Sequence, residues 1–233
     1  SRLCLLEIIN MAQRPIFIPN VHGNQLFSEI LIDFQWFSGF AISQKQKSIK
    51  SLHEKAKIKG YSNLLEVSTR SPELIGQRLS AFSLEIDTKF YGKISVECAF
   101  QGSKVFEGNI QYNEIYSKTS LEAKKFHKLN PSGKLIGFKF EEEEWELEPK
   151  SAFYDWLYIK ALHPHKDYLK KLFKYDAFTD IEFNPSKSIN CQARTCAIII
   201  SLLKRDLYDE VMSSKENFID IIYKKQFKQG TLI

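Results

Sequence analysis

The stretch from Ser95 to Phe106 constrains the fold most, because it mixes polar and apolar residues too closely for an ordinary surface helix. Wound as a helix, it places Glu97, Gln101 and Lys104 on one face, at spacings of four and three residues. A helix on a protein surface has a broader polar face than this narrow stripe. Small residues flank the stripe, namely Cys98, Ala99, Gly102 and Ser103. The pattern predicts a helix that carries an acid and an amine, with room beside them for a ligand.

A structural role is the alternative for this stripe. An acid and a lysine on one helix face commonly form a solvated ion pair, which is worth only about 0.2–0.5 kcal/mol. A buried Glu97–Lys104 pair that only fixes the helix would leave the same pattern. The stripe by itself therefore does not establish a catalytic site.

Composition limits the class of protein. The chain has 233 residues, of which 43% are hydrophobic and 26% are charged, so it can bury a core as a soluble globular protein. The net charge of +5 permits binding to a polyanion without requiring it. No apolar run approaches the roughly 18 residues that a membrane span needs, so no membrane partner is expected.

Cysteine usage favours a reducing compartment. The four cysteines include no C-x-x-C pair, and they are Cys4, Cys98, Cys191 and Cys196. Their spacing predicts neither a disulfide scaffold nor a metal site, and the five scattered histidines offer no ligand spacing either. We expect a cytoplasmic protein without a bound metal.

The chain is expected to form one domain after a short leader. Residues 1–10 are interpreted as a non-native or disordered leader, because Met11 begins a more natural N-terminal sequence. Residues 11–233 contain no repeat, low-complexity linker or change in charge composition, which favours a single domain.

Hydrophobic periodicity and turn residues predict the elements. Extended segments or strands are predicted at 15–21, 31–37, 64–68, 79–87 and 135–140. Helices are predicted at 43–59, 95–106, 151–162, 166–175, 192–204 and 214–227. Ser95 is predicted to cap its helix, Thr119 and Glu122 to form a capping box, and residues 176–190 to form a loop.

Two features of these elements carry alternatives. The helix at 43–59 has a basic face, on which Lys45 and Lys47 are candidate contacts to DNA phosphates, although such a face is commonly just solvated. The aromatic residues in and before the helix at 151–162 form either a base-stacking platform or, as we favour, part of the core. They are Trp145, Phe153, Tyr154 and Trp156.

Three segments resemble motifs of the NADAR superfamily, the YbiA-like proteins. Leu79–Phe82 followed by Glu85–Asp87 is similar to the family's L-S-N-F…E-I-D opening, and residues 95–104 resemble its T-V-E-H-x-F-Q-A-x-K helix. The sequence T-D-I-E-F-N-P, which ends at Pro185, is similar to the family's L-V-E-x-S-P. The chain departs from the pattern at Ala81, at Cys98 in place of histidine, and in lacking the W-G-x-G that follows.

The resemblance implies a fold and a function. It implies an α+β, helix-rich single domain of YbiA-like type with a small β-sheet, a core at about 79–203 and an N-terminal extension at 11–78. The extension is similar to the branch of NADAR proteins that accompany DarT-type DNA ADP-ribosyltransferase toxins as antitoxins. An antitoxin of this branch would remove ADP-ribose from guanine bases of DNA and would need no cofactor. Its expected substrate is single-stranded DNA, and its other partner would be the cognate toxin.

The resemblance also implies roles for residues of the motifs. Lys104 would form a Schiff base with the opened ribose, which requires a neutral amine and hence a pKa lowered by an apolar environment such as Phe100 provides. Glu97 would move the proton, and Gln101 would hold a ribose hydroxyl. The further candidates for substrate binding are Ser80, Phe82, Asp180, Glu182, Asn184, Asn190 and Arg194. Two rival functions remain at this stage: an N-glycosidase for small phosphoribosyl metabolites of the riboflavin-pathway type, and a non-catalytic module that binds ADP-ribose or the toxin.

Overall fold

The computed structural model describes residues 10–129 and 131–224. Its strands are β1 (Met11–Pro19), β2 (Phe27–Gln35), β3 (Leu64–Glu66), β4 (Glu85–Thr88), β5 (Gly92–Ser95), β6 (Lys104–Phe106), β7 (Leu135–Phe140), β8 (Glu143–Trp145) and β9 (Ala177–Thr179). Its α-helices are α1 (Ile42–Ile58), α2 (Leu74–Arg78), α3 (Val96–Gly102), α4 (Ser120–Lys124), α5 (Ala152–Leu162), α6 (Lys166–Leu169), α7 (Gln192–Lys204), α8 (Tyr208–Met212) and α9 (Lys215–Ile219). Short 3-10 turns lie at Asn113–Ser117, His127–Leu129, His163–His165 and Lys170–Lys174, and a π-helical turn lies at Asp220–Lys224.

Some predictions concern residues outside the described ranges. The predicted leader at 1–10 lies outside them except for its last residue, and Cys4 lies outside them as well. The predicted C-terminal helix at 214–227 is described only as far as Lys224, where it consists of α9 and the π-helical turn.

A four-stranded sheet joins the N-terminal extension to the predicted core. The strand order is β2-β1-β9-β3, in which β3 and β9 are parallel and the other neighbours are antiparallel. Successive side chains of a strand point to opposite faces. Ile16 accordingly packs in a cluster with Leu52 of α1, whereas Phe17 belongs to the larger core that contains α5 and α7. The sheet therefore separates two hydrophobic clusters.

The remaining strands form two small antiparallel units. Strands β4 and β5 pair as a hairpin, and β6, β7 and β8 form a three-stranded sheet in that order. The α+β class that the resemblance implies is thus observed, with three sheets among the described residues instead of one.

The longer predicted helices are confirmed. Helices α1, α5 and α7 match the predicted segments to within one residue at each end. The aromatic residues of α5 and its approach are buried, which confirms that they belong to the core: Trp145, Phe153, Tyr154 and Trp156. The cap at Ser95 and the capping box of Thr119 and Glu122 are also present.

Four predicted elements are wrong in part. The strand predicted at 79–87 is restricted to β4, because the Ser80 carbonyl accepts hydrogen bonds from the amides of Ser83 and Leu84 and so closes a turn. The helix predicted at 95–106 ends at Gly102, and Lys104 begins β6 instead. The helix predicted at 166–175 is divided into α6 and a 3-10 turn, and the loop predicted at 176–190 contains β9.

Candidate active site

Helix α3 positions the candidate acid. The hydroxyl of Ser95 caps the helix by accepting a hydrogen bond from the Cys98 amide at 3.1 Å. The Glu97 amide donates to the Ala81 carbonyl at 3.1 Å, which ties the first turn of the helix to the turn that precedes β4. Glu97 is 8% exposed, so its carboxyl group lies in the protein interior.

Gln101 lies one helical turn after the acid and binds it. Its Nε2 donates a hydrogen bond to Oε1 of Glu97 at 3.0 Å. The other polar atom of its amide, Oε1, is buried and has no hydrogen-bond partner among the described residues. A buried acceptor normally has a donor, so the hydroxyl of a ligand would complete this arrangement.

Lys104 reaches the site from the first position of β6. Its Nζ lies 5.3 Å from the centroid of the Phe100 ring. That ring packs in an aromatic cluster with Phe138, Phe153 and Tyr154. Burial lowers the pKa of Lys104, and the carboxylate of Glu97 opposes this shift by favouring the ammonium form. The amine is therefore closer to its neutral form than a surface lysine is.

The acid is shifted in the opposite direction. Burial raises the pKa of Glu97, while the hydrogen bond from Gln101 and the charges of Lys124 and Lys104 lower it in part. The neutral forms of both Glu97 and Lys104 are therefore favoured relative to the same groups in water. A pair of this kind can exchange a proton at a small cost in free energy.

The small residues of the stripe do not leave space for a ligand, and in this respect the sequence prediction is wrong. A Cβ atom on Gly102 would lie 2.5 Å from Cε1 of Tyr116, and Oγ of Ser103 lies 3.1 Å from the Tyr116 hydroxyl. The thiol of Cys98 donates to the Lys118 carbonyl at 3.1 Å. The chain from the 3-10 turn at 113–117 onward thus fills this side, and the stripe is open only where Gln101 and Lys104 are partly exposed.

Gln192, the first residue of α7, connects this helix to the sheet. Its Nε2 donates to the Val67 carbonyl at 2.6 Å and to Oδ2 of Asp180 at 3.1 Å, and its Oε1 accepts from the Ala81 amide at 2.7 Å. Because Ala81 also accepts from the Glu97 amide, one side chain links the ends of β3 and β9 to the first turn of α3. The Gln192 side chain therefore helps to set the position of Asp180 and of the helical turn that carries Glu97.

Asp180 and Glu66 form a buried acidic pair where the parallel strands β9 and β3 end. Glu66 is 0% exposed, and its Oε1 accepts hydrogen bonds from the Ser68 hydroxyl at 2.6 Å and the Ile181 amide at 3.0 Å. Burial and the charge of Asp180 raise the pKa of Glu66 well above its usual value, and burial raises the pKa of Asp180 to about 7. The pair therefore retains a proton at neutral pH.

Tyr154 and Lys124 are electrostatically coupled to both acidic centres. The Tyr154 phenol is buried, which raises its pKa, and the charges of Glu97 and Asp180 raise it further. The Lys124 ammonium lowers the pKa of Glu97 and of Asp180, and its Nζ lies 5.2 Å from the centroid of the Phe82 ring. Lys124 and Tyr154 therefore lie within electrostatic range of both the α3 stripe and the acidic pair.

A family model describes nearly the whole chain. Residues 12–231 match the model of the DarT1-associated NADAR antitoxins. The chain belongs to this family. The match includes the N-terminal extension from residue 12 onward and both hydrophobic clusters, so the likeness to NADAR antitoxins is not limited to the three motifs. Curated protein sequences give no significant match.

The other candidates for substrate binding in this NADAR chain are placed unevenly. Ser80 is buried, and its hydroxyl accepts from the Phe82 amide at 3.2 Å, so it shapes the turn that presents the Phe82 ring. Asn184 accepts from the amide and hydroxyl of Ser186 and so stabilises its own loop. Asn190 is half-buried at the end of the same loop, next to α7.

Arg194 is committed to a partner within the protein. Its guanidinium donates to both carboxylate oxygens of Asp155, at 2.9 and 3.2 Å, and Asp155 also accepts from Thr195 and Tyr223. The half-buried guanidinium thus links α7 to the buried Asp155 carboxylate of α5. The structure does not bring it together with Lys104 and Glu97 as a free charge.

The two basic candidates differ in environment. Lys45 is half-buried, and its Nζ lies 3.3 Å from Oε2 of Glu182. Its charge is therefore already used to neutralise the loop that follows β9, and the same ion pair occupies Glu182. Lys47 is exposed to solvent.

Sequence reasoning missed three residues of this site. From the sequence, Gln192 is only the first residue of an apolar helix and Glu66 is part of a short strand, and no role is assigned to Lys124. The signal for Gln192 is its polar amide directly before a strongly apolar helix, and the signal for Glu66 is an acid at the end of an apolar strand. Lys124 carries no local signal, because only the tertiary fold brings it near both acids.

An open cleft of about 740 Å³ lies beside the site. Phe82, Ser95 and Ser120 are among its lining residues, and it runs along the β4–β5 hairpin, whereas Glu97 and Lys104 do not line it.

Every helix in the described part of the chain is too short or too polar to cross a lipid bilayer. Within the same residues, no three His, Cys, Asp or Glu side chains converge as metal ligands do.

Proposed function

We propose that the chain is an ADP-ribosyl glycohydrolase that removes ADP-ribose from guanine bases of DNA. It would thereby act in the cytoplasm as the antitoxin to a DNA ADP-ribosyltransferase toxin. The observation that carries the proposal is the half-buried Lys104 amine, whose pKa burial lowers, beside a buried Glu97 whose pKa burial raises. The family description, which names an association with DarT1, supports the antitoxin role and the toxin as a partner.

The first chemical step joins lysine to sugar. The lone pair of the neutral Lys104 amine attacks C1 of the ribose while the bond from C1 to the guanine nitrogen breaks. The electrons of that bond leave with guanine, which takes the proton from the Glu97 carboxyl group. The ring then opens as a proton moves from the attached nitrogen to the ring oxygen, which gives a protonated imine.

The second step consumes water. The Glu97 carboxylate now takes a proton from the water that adds to C1 of the imine. Collapse of the adduct returns the amine to Lys104 and releases ADP-ribose. The net reaction adds one water molecule and leaves Glu97 and Lys104 in their starting forms.

The neighbouring polar groups support a role in holding the sugar. The unpartnered Oε1 of Gln101 is a fitting acceptor for a ribose hydroxyl. Asp180, at the carboxyl end of parallel strand β9, adds a second acceptor where open α/β sheets commonly bind ligands. We assign both to the ribose, and Phe82 to an apolar contact at the rim of the site.

The test is cleavage of single-stranded DNA that carries ADP-ribosyl-guanine, measured beside cleavage of a ribosylamino-pyrimidine phosphate. Wild type should release ADP-ribose from the DNA. Lys104→Ala should abolish turnover, and Lys134→Ala, which changes an exposed lysine of the loop before β7, should not affect it. Glu97→Gln should lower kcat by about 10²-fold or more, since it removes the proton donor.

Three results would contradict the proposal. Cleavage of the pyrimidine phosphate alone would identify a small-molecule N-glycosidase. Turnover of the DNA by Lys104→Ala at the wild-type rate would exclude the amine. Protection of cells from the toxin by an inactive Lys104→Ala variant would identify a binding module without a catalytic role.

A further inference from the structure

An aromatic and basic surface lies at the edge of the four-stranded sheet where β3 and β9 end. It is formed by the start of β1, the segment after β2 and the first turns of α1. Its residues are Arg14, Trp36, Phe37, Phe40, Lys45 and Lys47. We call it the connector surface, after the segment that connects β2 to α1.

Trp36 is the centre of this surface. It follows Ile32 and Phe34 in the alternation of β2 and packs against Phe34 with ring centroids 6.3 Å apart. The Nζ of Lys45 lies 4.5 Å from the centroid of the indole ring, and the Cζ of Arg14 lies 5.4 Å from it. Both cations contact the indole ring, and the Lys45 ammonium is at the same time paired with Glu182.

The same cations connect the surface to the candidate active site. The Arg14 Nε donates to the Ile181 carbonyl at 3.0 Å, and Lys45 forms its ion pair with Glu182. The residue directly before Ile181 is Asp180, whose charge acts on Arg14. A ligand bound at Asp180 therefore has the connector surface as its neighbour.

The outer part of the surface presents an aromatic ring to water. Phe40 is fully exposed, and Ile42 is 55% exposed. The exposed Lys47 has its Nζ 6.0 Å from the centroid of the Phe37 ring. Aromatic rings interleaved with lysines suit a polyanion whose units each carry a π-face. A purely apolar partner would instead have to desolvate these charges without compensation.

We propose that the connector surface binds the nucleotides that flank the modified guanine in single-stranded DNA. The rings of Phe40 and Trp36 stack on bases, and the ammonium group of Lys47 contacts a phosphate. This inference rests on the proposed function, because it takes DNA as the substrate of the neighbouring site. The excess of positive charge on the chain agrees with it, the net charge being +5.

The test measures binding of the full chain to an unmodified, fluorescently labelled single-stranded oligonucleotide by anisotropy. Phe40→Ala should weaken binding about fivefold or more, since stacking is worth at least that factor per base. Lys47→Ala should weaken binding and reduce the dependence of log affinity on log salt by about 0.7. Phe90→Ala, which removes a ring that is 71% exposed on the β4–β5 turn, is the control and should bind as wild type. Both aromatic positions are exposed, so equal thermal midpoints will show that folding is intact.

The outcomes separate this inference from the proposed function. Unmodified DNA requires no cleavage, so a loss of binding in Phe40→Ala and Lys47→Ala supports the surface even if no ADP-ribosylated substrate is cleaved. Wild-type affinity in both variants overturns the surface, even if cleavage of ADP-ribosylated DNA is confirmed. Loss of binding to the cognate toxin with unchanged oligonucleotide affinity also overturns it, because the surface would then be a protein interface.

Discussion

At the scale of single residues, the site is built from ionisable groups that the fold takes out of water. Lys104, Glu97, Glu66 and Asp180 all have pKa values that burial shifts toward the neutral form. Such shifts lower the stability of the folded state at some pH values, and groups of this kind cluster in functional sites. The arrangement is therefore more than a set of surface ion pairs, each of which is worth at most about 1 kcal/mol.

The acidic pair of Glu66 and Asp180 predicts how stability depends on pH. Burial raises the pKa of Asp180 from 3.8 to about 7, so between these values the folded protein holds a proton that the unfolded chain releases. Stability should therefore fall as pH rises through this window, by up to about 1.4 kcal/mol per pH unit for one proton. Glu66→Gln should flatten this dependence, because it removes one of the two charges and keeps the Oε1 acceptor for Ser68.

Urea unfolding at a series of pH values from 5 to 8 measures this effect. Arg14 and Glu182 face the same pair and remain unchanged in the variant. Glu54→Gln, on the exposed face of α1, is the control and should keep the wild-type slope. An unchanged slope in Glu66→Gln would show that the pair does not hold the proton.

At the scale of elements, the end of α3 decides where Lys104 lies. The helix stops at Gly102, which packs against the Tyr116 ring, and the chain continues as β6. The Tyr116 hydroxyl also bonds to Ser103 and Gln111, so the ring is held in place. The acid and the amine are therefore positioned by two different elements, with a closely packed junction between them.

Gly102→Ala tests this junction. The added Cβ would lie 2.5 Å from a buried ring, so the variant should lose about 1–3 kcal/mol of unfolding free energy and also lower kcat. Thermal and urea unfolding measure the loss. Gly92→Asn is the control, because no atom lies within 4 Å of a Cβ there and asparagine tolerates the positive φ of 66°. Equal stability of Gly102→Ala and wild type would mean that the junction is loosely packed.

The same junction shows which elements a sequence can predict. Helices α1, α5 and α7 are long enough for their apolar pattern to define them, and Gly60 ends the first of them. Strand β9 has three residues and no period of its own, and it exists because β1 and β3 lie on either side of it. The turn from α3 into β6 depends likewise on Tyr116 and on pairing with Phe138, which no local pattern reveals.

At the scale of the whole molecule, the extension and the motif-bearing core share one sheet. Strand β1 pairs with β9, whose last residue, Thr179, begins the third motif, so the extension is part of the structure that holds Asp180. The motifs locate Glu97, Gln101 and Lys104 in the sequence. Gln192 and Glu66 join the site only through this long-range assembly, which explains why sequence reasoning missed them.

Arg205 provides a test of this assembly. Its guanidinium, just after α7, donates hydrogen bonds to the carbonyls of the β1–β2 loop, namely those of Asn20, His22, Gly23 and Gln25. Arg205→Lys cannot reproduce this fork and leaves carbonyl groups without donors, so we expect a loss of about 1–3 kcal/mol of unfolding free energy. Arg78→Lys, at an exposed position at the end of α2, should cost little in the same urea titration. A similar stability for both variants would show that the loop is not held by Arg205.

The central claim is that the Lys104 amine attacks the sugar, and borohydride trapping tests it most directly. Reduction during turnover of ADP-ribosylated single-stranded DNA converts an imine into a stable amine, which mass spectrometry assigns to a peptide. We predict a sugar adduct on the peptide that contains Lys104 and no adduct in Lys104→Arg. An adduct on another lysine, or active turnover that leaves no adduct, would contradict the mechanism.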